Sequence, residues 1–386
     1  MNNGKYVFSQ FVEYLPQRIF YEISQSYEGD KYSKYFTTWN QLLCMIFGQL
    51  CNRNSLRDLV SFINAHSNKA YHLGLGKSVQ LSNFAYANEN RNCKIFEDFM
   101  NRIIAIAKEK VVAKDFEIEG KIYAFDSSTI DLCLSFYWAK FRTTKNGIKL
   151  HALYDTQASI PVLVNITEAK LNDVNGLDFI DYEAGSYYIM DKGYVDYGRL
   201  FRIENHEAYF VTRIKKGTKY KNIKKLKYKK STGVFGDKII KLTGLRTQKK
   251  YPKNLRLVFF YDEESKRKYE FVSNNFLLKS EEIALLYKQR WAVELFFKWI
   301  KQHLKIKKYW GQNENAVRIQ IYTAITTYCL VSVIKNELKI EKSTYEILRI
   351  LSGSLLDKTP IYQLLTENGK ASDDINAPEQ LILLGF

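Results

Sequence analysis

Five short apolar runs between Lys121 and Arg213 constrain the fold more than any other feature of this chain. Lys121 to Phe125, Gly147 to Tyr154, Ile160 to Thr167, Ser186 to Met190 and Ala208 to Arg213 each have the length and residue types of a β-strand. Asp155 to Ser159, between the second and third runs, is short enough for a hairpin. Asn172 to Tyr182 can form a helix between the third and fourth runs, and Tyr197 to Asn205 another before the fifth. Hairpins make antiparallel neighbours, whereas helical crossovers return the chain for parallel ones.

Three antiparallel strands followed by helix, strand, helix and strand is the order of a ribonuclease-H-like fold. The expectation is therefore an α/β core, a mixed five-stranded sheet with helices on both faces. In that order the first and fourth strands run side by side and parallel. Their carboxyl ends bring together Asp126, in FDSST, and Asp191, in MDKGYVDY, where sheets of this kind place ligands. A single Asp after a strand is most often a turn or cap residue, and the nearby Asp131, Asp155 and Asp196 are read as turn or surface residues.

The second constraint lies downstream. Ser280 can cap a helix, with Glu281 and Glu282 at its positive end. No Gly or Pro follows until Gly311, so one long helix is expected from Glu281 to about Leu304. At about 100° per residue, Tyr287, Arg290, Glu294 and Lys301 share an arc of roughly 60°. Leu286, Val293, Phe296, Phe297, Ile300 and Leu304 fall on the adjoining, core-facing side. One acid beside two cations and a phenol suits a metal ligand that works next to phosphates. An amphipathic helix whose polar face meets water would look the same by composition.

The spacing separates the two readings. Tyr287, two residues, Arg290, three residues, Glu294, six residues and Lys301 resembles the signature of the insertion-sequence-four family of bacterial DDE transposases. FDSST and MDKGYVDY resemble that family's first and second catalytic positions, and the resemblance covers roughly residues 117–340. It implies that Asp126, Asp191 and Glu294 are the catalytic carboxylates. An oxygen-only set without His or Cys suits two Mg²⁺ or Mn²⁺ ions, with Asp126 bridging both. It also implies a DNA transposase that binds the terminal inverted repeats of an insertion sequence, then cleaves and joins double-stranded DNA as a homodimer on paired ends. In better-known members a hairpin forms at the element's end and is reopened with a flipped base. Tyr287 and Arg290 then hold the phosphate beside that base, and Lys301 meets DNA near the scissile phosphate. Some relatives stack a Trp on the base. This chain has no Trp between Asp191 and Arg290, and Tyr269, in KYEFVSN, stands at the matching position. Arg213, in YFVTRIK, matches a basic strand end near DNA, and Lys215, Lys216 and Lys298 join it as candidate DNA contacts.

The remaining sequence fits around this core. A chain of 386 residues exceeds one small domain. Residues 1–115 are expected to form a helical DNA-binding domain, with helices over Phe8 to Ser24, Thr37 to Leu50, Ser55 to Ala65 and Cys93 to Val112. Ser55 to Ala65 and Phe84 to Arg91 suggest a helix-turn-helix-like reader, weighed against a bundle packed beside the core. The pattern switches at Glu117, and the core comprises 116–213 and 280–340. Residues 214–279 form a β-rich, basic insertion, with strands over Lys238 to Leu245, Asn254 to Tyr261 and Lys268 to Ser273. Its lysine run from Lys215 to Lys230 is a phosphate-contacting segment or a solvated loop. Helices over Asn313 to Leu338 and Ser343 to Leu355 cover the sheet, and 341–386 is a helical tail closing in the apolar stretch 377–386. The helix near Ile319 to Ile334 is read as core, not membrane-spanning. The formal charge of +17 points to a polyanionic partner. Cys44, Cys51, Cys93, Cys133 and Cys329 include no C-x-x-C pair, which argues against a zinc site or disulfide framework. A cytoplasmic, nucleoid-associated protein without a secretory signal is expected. Two rivals remain open: a ribonuclease-H-like nuclease that does not join, and a DNA-binding protein that has lost catalysis.

Overall fold

The computed structural model describes residues 4–366, apart from 77, 114, 115, 117, 133–135, 143, 144 and 304–308. Glu117, Cys133, Leu304 and the closing stretch 377–386, singled out above, lie outside the described residues.

Seven helices come first: α1 (Val7–Val12), α2 (Gln17–Ser26), α3 (Thr38–Leu50), α4 (Leu56–Ala65), α5 (Ser67–Ala70), α6 (Leu81–Asn90) and α7 (Lys94–Lys110). The single helix expected from Phe8 is two, because Pro16 stands between α1 and α2. Pro has no N–H to continue the ladder and restricts the residue before it. Thr37 and Ser55 cap α3 and α4 through their hydroxyls. The exposed positions of α6 are Ser82, Asn83, Tyr86, Glu89 and Asn90, with no Lys or Arg among them. Its other face is buried, where Asn88 accepts from Gln41 of α3 at 2.7 Å.

Ten strands then build one sheet: β1 (Ile122–Leu132), β2 (Lys140–Arg142), β3 (Lys145–Asp155), β4 (Ile160–Glu168), β5 (Tyr187–Ile189), β6 (Tyr209–Arg213), β7 (Tyr220–Lys225), β8 (Val234–Leu242), β9 (Asn254–Asp262) and β10 (Arg267–Ser273). Their order is β2-β3-β1-β5-β6-β10-β9-β8-β7, with β4 also paired to β3. β1, β3 and β4 are antiparallel, whereas β5 runs parallel to β1 and β6 parallel to β5. The segment expected as a helix from Asn172 is a 3-10 turn over Asp173–Phe179, and α8 (Tyr197–Asn205) precedes β6. β10 pairs antiparallel with β6, so the strands of the basic insertion extend the same sheet.

The lysine-rich run is not a loop. It contains β7, the outermost strand beyond β8, and every residue from Lys221 to Lys225 is exposed. Lysines on an edge strand discourage pairing with another chain. A short helix, α9 (Leu245–Lys250), links β8 to β9.

Three helix segments pack on the sheet: α10 (Ser280–Lys288), α11 (Trp291–His303) and α12 (Glu314–Glu337); α13 (Thr344–Ser354), expected there too, packs instead on α3, α11 and α12, and α14 (Ile361–Thr366) follows. The long helix expected from Glu281 to Leu304 is divided. Backbone bonds tighten to the i−3 pattern at Gln289, Arg290 and Ala292, so α10 and α11 meet at a turn holding Arg290. Ser280 is not the cap. It is buried in the first turn, and Glu282 accepts from the Lys279 N–H instead. α12 is apolar and long enough to cross a membrane by composition, yet 94% of that window is buried inside the protein. Asn313 caps its start. One core joins the N-terminal helices, β1, β3 and β4, and α11 to α13. Burying each large aliphatic there contributes about 1.5–3 kcal/mol.

Candidate active site

Strand register places the first two carboxylates. Ala124 of β1 pairs with Ile189 of β5, and Ile189 pairs with Val211 of β6. Asp126, Asp191 and Arg213 each lie two residues beyond that rung. Side chains two apart share a face, so the three form a row across the sheet. Asp126 does not end its strand as expected. β1 continues for six residues to Leu132, paired throughout with β3. What ends near Asp126 is β5 itself, at Ile189, and with it the pairing on that side of β1. Phe271 of β10 pairs with Arg213, and the Tyr287 ring lies over Phe271 at 4.6 Å between centroids.

Each carboxylate has its own partners. The Asp126 Oδ1 accepts from the Tyr194 hydroxyl at 3.0 Å. Burial pushes the Asp126 carboxyl above its ordinary range, although hydrogen bonds from Ser127 and Tyr194 and the nearby Arg290 charge oppose the shift. The Asp191 Oδ1 accepts from Arg213 Nε at 2.9 Å, from Arg213 Nη2, and from the Tyr287 hydroxyl at 3.1 Å. Burial raises the Asp191 carboxyl, but the Arg213 bonds outweigh it and the net shift is downward. Glu294 pairs with the Arg290 guanidinium one turn earlier. Burial lowers the Arg290 value, the Glu294 bond and neighbouring charges outweigh it, and the guanidinium is held above its ordinary range. Asp126 and Asp191 both fall within the reach of the Arg290 charge. The Arg290 Nε is buried without a hydrogen-bond partner.

The three carboxylates thus belong to one charge cluster without converging on a point. Among the described residues, no three His, Cys, Asp or Glu side chains lie close enough together to hold one metal ion. By chemistry, an all-oxygen set from β1, the end of β5 and α11 suits a hard divalent cation.

The other sequence-derived candidates sort into two groups. The Tyr287 hydroxyl is pushed up to about 12 by burial and bonds to Asp191. The Lys301 ammonium donates to Ser128 Oγ at 2.6 Å and to the Thr129 carbonyl at 2.9 Å, which ties α11 to β1. Lys298 is exposed, one turn after Glu294. The rest line a cleft of about 480 Å³ beside Asp191, where Lys192, Arg213, Lys215, Lys216 and Lys268 gather with Tyr220 and Tyr269 against one acid, Glu270. Lys215 also donates to the Val195 carbonyl at 2.8 Å. The Tyr269 ring is nearly parallel to Phe271, at 5.7 Å.

Sequence reasoning missed Tyr194 and His151. Tyr194 lies in the quoted MDKGYVDY, so its motif was in view and its contact was not. His151 is fully buried on β3 opposite Ser127, whose hydroxyl meets its Nδ1 at 2.6 Å, and its Nε2 meets Thr167 Oγ1 at 2.9 Å. Burial and then Lys149 push its pKa down to about 4, so the ring is a neutral link behind the strand that carries Asp126. A polar residue among the apolar residues of the second run was the available signal. Asp155 and Asp196 do act locally: Asp155 accepts from the Gln157 and Ala158 N–H groups, and Asp196 caps α8.

Comparison with known proteins bears on the family of the chain. The family model described as a transposase DDE domain matches residues 118–330, and one described as a domain of unknown function matches residues 3–76. A putative transposase y4zB from Sinorhizobium fredii is 35% identical over 228 residues, 58% of this chain and 63% of that protein. The match therefore takes in less than two thirds of that relative's length. A probable transposase for insertion sequence element IS5377 from Geobacillus stearothermophilus is 28% identical over 74% of this chain and 78% of its own. A putative transposase for insertion sequence element IS4SA from Synechocystis sp. is 26% identical, over 76% and 82%. The solved piggyBac transposase synaptic complex with hairpin DNA is similar with a TM-score of 0.46 at 12% identity, covering 96% of this chain and 87% of that one. Because the matched domain model takes in more than half of the sequence and all three candidate carboxylates, the chain belongs to the transposase DDE-domain family.

Proposed function

We propose that this protein is a DNA transposase that binds the terminal inverted repeats of its own insertion sequence and carries out metal-dependent cleavage and strand transfer. The observation that carries the reading is the register that sets Asp126 and Asp191 at equal distance past one rung, with Glu294 in the same charge cluster and all three inside the matched DDE domain. The strands β4-β3-β1-β5-β6 then form a ribonuclease-H-like core with Tyr287, Arg290, Glu294 and Lys301 as an insertion-sequence-four signature. Residues 1–115 serve as a DNA-binding region, 214–279 as a basic β insertion and 341–386 as a C-terminal tail.

Asp126, Asp191 and Glu294 would hold two Mg²⁺ or Mn²⁺ ions. When bound, such ions activate a water or 3′-hydroxyl and stabilise the leaving oxygen of an in-line phosphoryl displacement. The protein's own groups do the rest. Arg290, with an unpaired buried Nε, and Tyr287 hold a DNA phosphate beside the carboxylates. The lysine-lined cleft receives backbone phosphates by charge, and Tyr269 and Tyr220 offer rings for stacking a base. A hairpin route with Tyr269 as the stacking residue and a homodimer on paired ends complete the proposal, in a cytoplasmic protein acting on the nucleoid.

The test uses a labelled duplex carrying the end of the encoding element, purified protein, Mg²⁺ or Mn²⁺, and a denaturing gel. A metal-dependent nick at the element boundary, followed by a hairpin or joined product and lost in Asp126→Ala and Glu294→Ala, is expected. Those variants should lose at least about 10³-fold in rate, about 4 kcal/mol of transition-state stabilisation, while still binding the end. Nicking without joining would instead make the protein a nuclease. End binding by folded protein with no cut would make it a non-catalytic binder.

A further inference from the structure

We propose that Arg213 and Arg290 are ion surrogates: in the ion-free protein their guanidiniums occupy Asp191 and Glu294, and divalent ions must displace them. The inference rests on the metal-centre reading above and adds a competition between two of its own residues and the ion. Three observations support it. First, the Asp191 Oδ1 receives both Nε and Nη2 of Arg213 as well as the Tyr287 hydroxyl, so the oxygen an ion would use is already surrounded by donors. Second, Glu294 is held by Arg290, whose charge also reaches Asp126 and Asp191. One guanidinium therefore grips Glu294 while its charge acts on Asp126 and Asp191, where an ion would otherwise provide the balancing charge. Third, the grip of Arg290 is incomplete. Its Nε is buried and unpaired, and a guanidinium with an unused donor gains by turning to an acceptor that can use its whole fork.

Charge supports the same conclusion. Three carboxylates against two guanidiniums leave one net negative charge in the cluster. Two divalent ions added to that set would leave three net positive charges in a half-buried space. The excess is relieved when the guanidiniums swing away, and further when a phosphate arrives to meet them. Arg213 opens onto the lysine-lined cleft, so its released position faces the surface best suited to a DNA backbone. The side chains of Asp191 and Arg213 are 31% and 29% exposed, which leaves room for the exchange.

The experiment is Mn²⁺ binding alone, read by electron paramagnetic resonance of the free ion on the full chain without DNA. It compares wild type, Arg213→Gln, Arg290→Gln, Arg290→Lys and Asp191→Asn, with folding checked by circular dichroism. Removing a competitor should tighten Mn²⁺ binding at least about tenfold in each Gln variant, about 1.4 kcal/mol. Arg290→Lys, which keeps the cation, should return toward wild type. A residue that merely positions the carboxylates would show the opposite sign, because its loss scatters the ligands. Unchanged or weaker binding in the folded Gln variants overturns the inference and leaves the metal centre standing. The two arginines lie on different elements, so either folded variant decides. No Mn²⁺ binding in wild type and variants alike, or binding that survives Asp191→Asn, overturns both.

Discussion

The helix α10 meets an Asp–Arg pair at each end, and the two pairs differ in their enclosure and in the further partners of their guanidiniums. At its start, the Ser280 hydroxyl donates to Asp237 Oδ2 at 2.8 Å, and Arg256 reaches the same carboxylate through Nε at 3.1 Å and Nη2 at 2.7 Å. At its end, the Tyr287 hydroxyl donates to Asp191, which is also held by Arg213. The first pair is sealed, with side chains 4% and 0% exposed. All three nitrogens of its guanidinium have acceptors, because Nη1 of Arg256 also donates to the carbonyls of Leu278 and Asn275. The second pair is about a third exposed and borders a basic cleft. The same three groups thus serve as a permanent fastener where no other ligand can enter, and as an exchangeable contact where one can. The sealed pair fixes the direction in which α10 leaves the sheet, and so the position of Tyr287 over Asp191.

The widest gap should appear in stability. Arg256→Ala strands a buried carboxylate and should cost about 3–5 kcal/mol. Arg213→Ala leaves Asp191 free to hydrate and should cost about 1 kcal/mol or less. Urea unfolding of both variants measures the difference. Equal costs would mean that the site pair is as structural as the sealed one, and the comparison would collapse.

The hydroxyls sharpen the same contrast at smaller amplitude. Ser280→Ala removes a donor from a buried carboxylate and should cost about 1.5–3 kcal/mol of stability. Tyr287→Phe keeps the ring on Phe271 and removes a donor from a half-exposed one, so it should cost about 1 kcal/mol or less. Its effect should fall instead on the steps that hold DNA phosphate, with hairpin formation slowed more than first-strand nicking. A uniform slowing of every step would leave the hydroxyl as a general support of Asp191 with no special part in the hairpin step, and no slowing would leave Tyr287 as packing alone.

These contacts mark where the sequence stops being informative. The strand order and the pairing of β1 with β5 were legible because alternation and spacer length are local properties. The location of Asp126 inside β1 was not, since Ser127, Ser128 and Asp131 read as a turn and only pairing with β3 holds them extended. The turn at Arg290 was hidden because nothing in YKQRWAV breaks a helix by composition. Edge strand β7 was read as a lysine run, because a strand exposed on both faces shows no alternation. Arg213 and Lys301 were singled out as candidates by resemblance, but their partners Asp191 and Ser128 depend on contacts 22 and 173 residues apart. Periodicity cannot report such contacts.

The smallest expected effect compares the two aspartates of the row. Burial is the larger influence on Asp126 and raises its carboxyl, so folding favours its neutral form. The stability it contributes is full below the unfolded value, about 3.9, and is lost as pH rises through the raised folded value. For Asp191, burial also pushes upward, but the Arg213 bonds prevail and the net shift is downward. Its contribution is full above the unfolded value and is lost as pH falls through the lowered one. With a chelator present, Asp191→Asn should therefore fall behind wild type as pH rises toward about 3.9, and Asp126→Asn should gain on wild type as pH rises beyond it. Unfolding curves across about pH 2 to 7 measure both differences. Because the two carboxylates share one rung and one face, opposite slopes would show that Arg213, and not depth in the sheet, sets the charge state of this end of the row. Parallel slopes would show that Arg213 is not held on Asp191 in solution, and the distinction between the open and the sealed pair would lose its electrostatic basis.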